Sequence, residues 1–192
     1  MFGTIRNAQG EKLDYTFHPG SEGSKAIVVL GHGVTGNKDR PFVIALAEGL
    51  ATAGIPALRF SFSGNGASEG HFVDSTITKE VGDLGAVLDA LEGHTLGYVG
   101  HSMGGAVGVL RASQDPRIRF LVSLAGMVHT GDFARREFGM VKPGEGFMWD
   151  DEACPLSQAY MDDLIGLVSV VDRAPSIRVP WLLVHGTEDD VV

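Results

Sequence analysis

The chain has 192 residues, 44% of them hydrophobic, and a formal net charge of −9. That is enough apolar material for one sizeable core in a single domain, and an acidic balance with no Lys/Arg cluster excludes nucleic acid and anionic membrane surfaces as expected partners. Cys154 is the only cysteine, which excludes an internal disulfide or a zinc-type cysteine cluster, and with no signal pattern and no membrane-length apolar run the expected location is the cytoplasm.

Thr4–Arg6 and Leu13–Phe17 flank the turn-rich Asn7-Ala8-Gln9-Gly10 and predict an antiparallel hairpin. His18 follows in a loop. Ala26–Leu30 is a continuous apolar, β-branched run, as expected of a strand buried on both faces. It ends in Gly31-His32-Gly33-Val34-Thr35-Gly36-Asn37-Lys38. Pro41 then opens a helix with Phe42, Ala45, Leu46 and Leu50 on one stripe, and Gly54-Ile55-Pro56 stops it. Ala57–Phe62 is the next strand. The Gly64-x-Gly66 loop behind it lacks the third glycine and the immediate helix of a dinucleotide-binding turn.

Ile77, Val81, Leu84, Leu88 and Leu91 recur at helical spacing, so Thr76–Leu91 is an amphipathic helix. Leu96-Gly97-Tyr98-Val99 reads as a short strand, Gly100-His101-Ser102-Met103-Gly104-Gly105 as a tight turn, and Ala106–Ala112 as an apolar helix. Gly-x-Ser-x-Gly between a strand and a helix is a nucleophile elbow. The turn lifts the serine hydroxyl clear, the glycines let strand and helix approach closely, and the helix N-terminus aims N–H groups at developing negative charge. Ile118–Ala125 and Trp181–His185 are two further buried strands.

Alternating strands and helices predict an α/β fold with a mostly parallel sheet and helices on both faces. Its site should lie at the carboxyl ends of the strands. Gly31–Val34, Gly64–Gly66, Ser102 and Gly186–Asp189 all fall at that edge. Gly126–Pro180 interrupts the pattern and carries Phe133, Phe138, Phe147, Met148, Trp149 and Tyr160. It is read as an inserted cap, partly helical around Leu156–Val171, with Phe147 and Trp149 as candidate contacts for an acyl group.

A serine hydroxyl needs a base, and the base needs an orienting acid. Ser102 is the candidate nucleophile. Asp189 is the candidate acid, with Glu188 and Asp190 as solvated neighbours. A tetrahedral intermediate needs two N–H donors. Met103, directly after the nucleophile, is one candidate, and Val34, where Gly33 lets the backbone pass close, is the other. His32 should brace that loop. His101 and His185 should make structural hydrogen bonds.

These four segments, His32–Lys38, Gly64–Gly70, Gly100–Gly105 and His185–Asp189, together resemble the α/β-hydrolase superfamily. Within it the chain looks most like the small esterases that include cinnamoyl and feruloyl esterases. The resemblance spans nearly the whole chain. It implies a Ser–Asp–His triad and cleavage of small-molecule carboxylic esters, feruloyl esters among them, through an acyl-enzyme, with no cofactor. The chain departs from the family at the histidine, which there lies a few tens of residues beyond the acid, after one more strand. No residue here matches it, and His129, at the start of the insertion, is the best resident surrogate. The expectation is therefore one incomplete α/β-hydrolase domain over 1–192 with a cap at about 126–180. Its last strand, helices and histidine would come from a missing C-terminal segment or a second polypeptide. The alternatives are a serine peptidase or acyl-peptide hydrolase of the same fold, favoured by a preference for amides, and a non-catalytic ligand-binding relative, favoured by a serine inert to phosphonates.

Overall fold

The computed structural model describes residues 2–192. A short hairpin, β1 (Ile5–Arg6) with β2 (Lys12–Leu13), precedes a six-stranded sheet. Along the chain the sheet comprises β3 (Tyr15–His18), β4 (Ala26–Gly31), β5 (Ala57–Phe60), β6 (Thr95–His101), β7 (Ile118–Leu124) and β8 (Trp181–Val184). Their spatial order is β3-β5-β4-β6-β7-β8. Only the β3–β5 pair is antiparallel. The N-terminal region thus corrects the single hairpin expected over residues 4–17. The chain leaves the hairpin at Asp14, whose N–H goes to Ser68 Oγ at 2.8 Å, and β3 pairs with β5 instead.

Both sheet faces are covered where the strands are continuously apolar. Ile27 and Val29 of β4 pack in the larger core with α2 (Ile77–Ala90) and α3 (Met103–Ala112). The alternate residues Val28 and Leu30 pack against Val43 and Ala47 of α1 (Pro41–Thr52). Pro41 stands in the first turn of α1, where its missing N–H costs nothing. Thr76 caps α2, its hydroxyl accepting the Lys79 N–H at 3.1 Å. The α1 face is open towards the far edge: Phe120, Val122 and Leu124 are half-buried, and Leu182, Leu183 and Val184 of β8 are exposed.

The stretch 126–180, expected to be an inserted cap, is more helical than its sequence indicates. It holds α4 (Thr130–Phe138), where no helix is expected, and α5 (Gln158–Leu167) inside the region expected to be helical. Short 3-10 turns lie at Met148–Asp150 and Val171–Ser176. Phe133, Phe138, Trp149 and Tyr160 form one aromatic cluster, with ring centroids 5.0 Å apart for Phe138–Trp149 and 6.3 Å for Phe138–Tyr160.

Helix α2 also buries a carboxyl. Glu80 is 1% exposed, and neither side-chain oxygen has a hydrogen-bond partner among the described residues. Burial first, then the neighbouring Asp83 and Asp163, push its pKa well above the ordinary 4.5, with only Lys79 opposing. The folded state therefore keeps a proton that the unfolded chain releases as pH rises past its own pKa. Stability falls with pH from there up to the folded pKa. Between pH 5 and 8 the melting temperature of Glu80→Gln is expected to decline less than that of the parent. Equal declines would mean that Glu80 is ionised in the folded protein.

Candidate active site

Strand β6 hands over to α3 at Ser102, whose backbone sits at φ 50°, ψ −117°. This region is rarely occupied by a residue with a side chain, and it is the strain expected of a nucleophile elbow. Backbone bonds on both sides hold it: Ser102 N–H donates to Leu124 C=O at 3.0 Å, and Met127 N–H donates to Ser102 C=O at 3.0 Å. A Cβ on Gly100 would collide with the Gly104 carbonyl, and one on Gly104 would lie 2.5 Å from the His32 carbonyl oxygen. Both glycines are therefore required by close backbone approach.

The loop after β4 comes close to this turn. A Cβ on Gly33 would lie 3.1 Å from Ser102 Cβ. Gly33–Gly36 forms a tight turn closed by Gly36 N–H to Gly33 C=O at 3.0 Å, with Thr35 at φ 54°. Neither the Val34 N–H nor the Met103 N–H at the helix start has an acceptor among the described residues. His32 braces this loop as expected. Its Nε2 accepts the Phe62 N–H at 3.1 Å, which puts the ring proton on Nδ1, 2.9 Å from the Gly33 carbonyl. Complete burial, the largest cause, lowers its pKa to about 4, so the ring is neutral.

Asp189 follows β8 at the same sheet edge. Its carboxylate accepts N–H groups from Val191 at 3.0 Å and Val192 at 3.2 Å, and these hold its pKa below the usual range. His185 Nε2 stands 3.5 Å from Asp189 Oδ2, too long for a hydrogen bond, and the His185 side chain is half-exposed. Neither His101 nor His185 makes the structural hydrogen bond expected of it. His101 instead packs on Phe42, ring centroids 4.7 Å apart, and burial lowers its pKa. Ser102 Oγ has no hydrogen bond to any histidine among the described residues. The surrogate His129 is exposed at the start of α4, outside the residues lining the cleft.

Above Ser102 lies a cleft of about 510 Å³. Val34, Arg40, Phe42, His101, Phe133 and Trp149 are among the residues that line it. Of the two aromatic residues singled out in the insertion, Trp149 faces the cleft, its indole N–H fixed by Glu137 Oε2 at 3.1 Å. Phe147 does not line it, because the backbone there bridges to Pro155. Phe133 takes the expected place of Phe147. Arg40 and Phe42, flanking Pro41, were not anticipated. Their signal was position alone, directly after the Gly33–Lys38 loop. Among the described residues no group of three His, Cys, Asp or Glu side chains is placed to hold a metal ion, and no helix is long and apolar enough to cross a membrane.

A comparison with curated protein sequences finds no match. Among solved structures, Est1E from Butyrivibrio proteoclasticus with bound ferulic acid superposes with a TM-score of 0.83 at 24% identity, over 99% of this chain and 81% of that one. The Pyrococcus furiosus esterase Pf2001 gives 0.75 at 24% identity, over 98% and 71%. Mouse alpha/beta hydrolase domain-containing protein 10 gives 0.73 at 18% identity, over 99% and 79%. The family model of the alpha/beta hydrolase fold matches residues 26–153. Strand order, strained elbow and family match agree: the chain belongs to the alpha/beta hydrolase fold family.

Proposed function

We propose that the protein is a serine esterase that cleaves carboxylic esters through an acyl-enzyme on Ser102. The carrying observation is the strained Ser102 beside two unpaired backbone donors, Val34 N–H and Met103 N–H, under an apolar cleft. Ser102 Oγ attacks the ester carbonyl and forms a tetrahedral oxyanion. The two N–H groups stabilise that charge as it develops, and collapse expels the alcohol. Water then attacks the acyl-serine by the same route and releases the acid. Asp189 orients and charges the imidazole that takes and returns the proton.

An imidazole standing on the β8 side of the cleft, within reach of both Ser102 and Asp189, completes this unit. The exposed β8 edge and the apolar groove of about 390 Å³ beside Trp181 and Leu183 support this reading. A fluorophosphonate should label Ser102 and no other serine in the active enzyme. Labelling that survives Ser102→Ala refutes the assignment.

The aromatic lining supports a planar aromatic acyl group, hydroxycinnamates included, as in the ferulic acid held by Est1E. Trp149→Ala is expected to lower kcat/KM for a hydroxycinnamate ester several-fold more than for a short aliphatic one. Equal losses would assign Trp149 to holding the fold.

A further inference from the structure

Resting on the esterase reading, we infer that the cleft selects aromatic esters that carry a second, anionic group, a carboxylate, and that Arg40 reads it. Arg40 is the one ionised side chain among the described residues that line the cleft, since burial keeps His101 neutral. It has no carboxylate partner there. The adjacent Asp39 is turned to Lys38 and Arg59 instead. In a chain of net charge −9, an unpaired guanidinium at the mouth of an aromatic chamber is a local reversal of sign.

The guanidinium is also held in place. Its Nη2 donates to Thr35 C=O at 3.0 Å, within the same turn that presents the Val34 N–H. Nη1 and Nε keep their donors free for an oxygen pair. Its charge is felt within the site, where, after burial, it helps lower the pKa of His32 and His101. Phe42, Phe133 and Trp149 supply apolar walls of the same cleft, while Arg40 itself is exposed. An aromatic ring against those walls, its ester carbonyl at Val34 and Met103 and its carboxylate at Arg40, uses every feature of the cleft.

The test compares two matched probes, methyl 4-carboxycinnamate and its neutral isostere methyl 4-carbamoylcinnamate. Their dissociation constants are read from tryptophan fluorescence on the Ser102→Ala protein, in which turnover is too slow to disturb the titration. The anion should bind roughly five-fold tighter at low salt, a modest ratio because Arg40 is partly solvated. The ratio should shrink as ionic strength rises. Arg40→Gln should bring it to about one, and Arg40→Lys should restore part of it. A ratio near one in the parent, or one that Arg40→Gln leaves intact, overturns the inference. Folding of each variant is checked by its melting curve, and the ratio cancels any general weakening of the site. Phosphonate labelling of Ser102 in the otherwise unaltered enzyme separates the two readings: if Ser102 is labelled and the ratio is one, only the anion inference fails, and if Ser102 is not labelled, the esterase reading fails first.

Discussion

Ser102→Ala should lower ester turnover by on the order of 10⁵–10⁶, leaving roughly 10³–10⁴ over the uncatalysed rate. The loss is that large because the nucleophile, imidazole and acid act as one unit, so removing one silences the others. The residue stems from the oxyanion donors and the cleft, which the substitution leaves untouched. The fold should not suffer, since Ser102 is held through its backbone N–H and C=O and its hydroxyl makes no hydrogen bond among the described residues. Relieving a side chain at φ 50° gives little, because alanine carries the same Cβ. Steady-state rates and a melting curve on the same preparation check both halves. A drop of less than a hundredfold with an unchanged melting point would place the nucleophile elsewhere.

Val34→Pro should cost on the order of 10²–10³ in kcat, while Val34→Ala changes it little. The two variants differ in the backbone donor. Proline deletes the Val34 N–H, and the turn tolerates it. Val34 is the second residue of a turn closed by Gly36 N–H to Gly33 C=O, the position where proline's fixed φ is favoured. The deleted N–H has no acceptor among the described residues, so its removal breaks no bond seen there. The effect should fall on kcat more than on KM, because the oxyanion exists only after attack. Near-normal kcat in a folded Val34→Pro protein would remove Val34 from the oxyanion hole.

Much of this was legible in the sequence, because burial imposes periodicity. Ala26–Leu30 read as a strand from its unbroken apolar run, which follows from α1 covering one face and α2 and α3 the other. The elbow was legible because close backbone approach demands glycine at 100 and 104, a requirement written into residue type. What failed depended on partners distant in the chain. Leu13, Tyr15 and Phe17 alternate as one strand would, yet the pairing partner changes at Asp14. Helix α4 is short and polar, and burial of Phe133 and Phe138 in the aromatic cluster holds it together. Phe147 and Trp149 are equivalent by composition. A bridge to Pro155 separates them, with Trp149 at φ 49° turned to the cleft. Arg40 gave no periodic signal, because one charged side chain in a loop has none to give.

The proposed nucleophile, Ser102, and the proposed acid, Asp189, stand on parts of the sheet expected to open at different rates. Ser102 is anchored to β6 and β7, in the centre, where amide protons should exchange with solvent only through near-global unfolding. Asp189 hangs from β8, an edge strand of four residues of which Leu182, Leu183 and Val184 are exposed, and its amides should exchange through cheap local fraying. Each such opening disconnects the acid while leaving the nucleophile and its donors in register. On warming, hydrolysis should therefore fade in a range where the core amides are still protected, and anything that clamps β8 should extend the working temperature without touching Ser102.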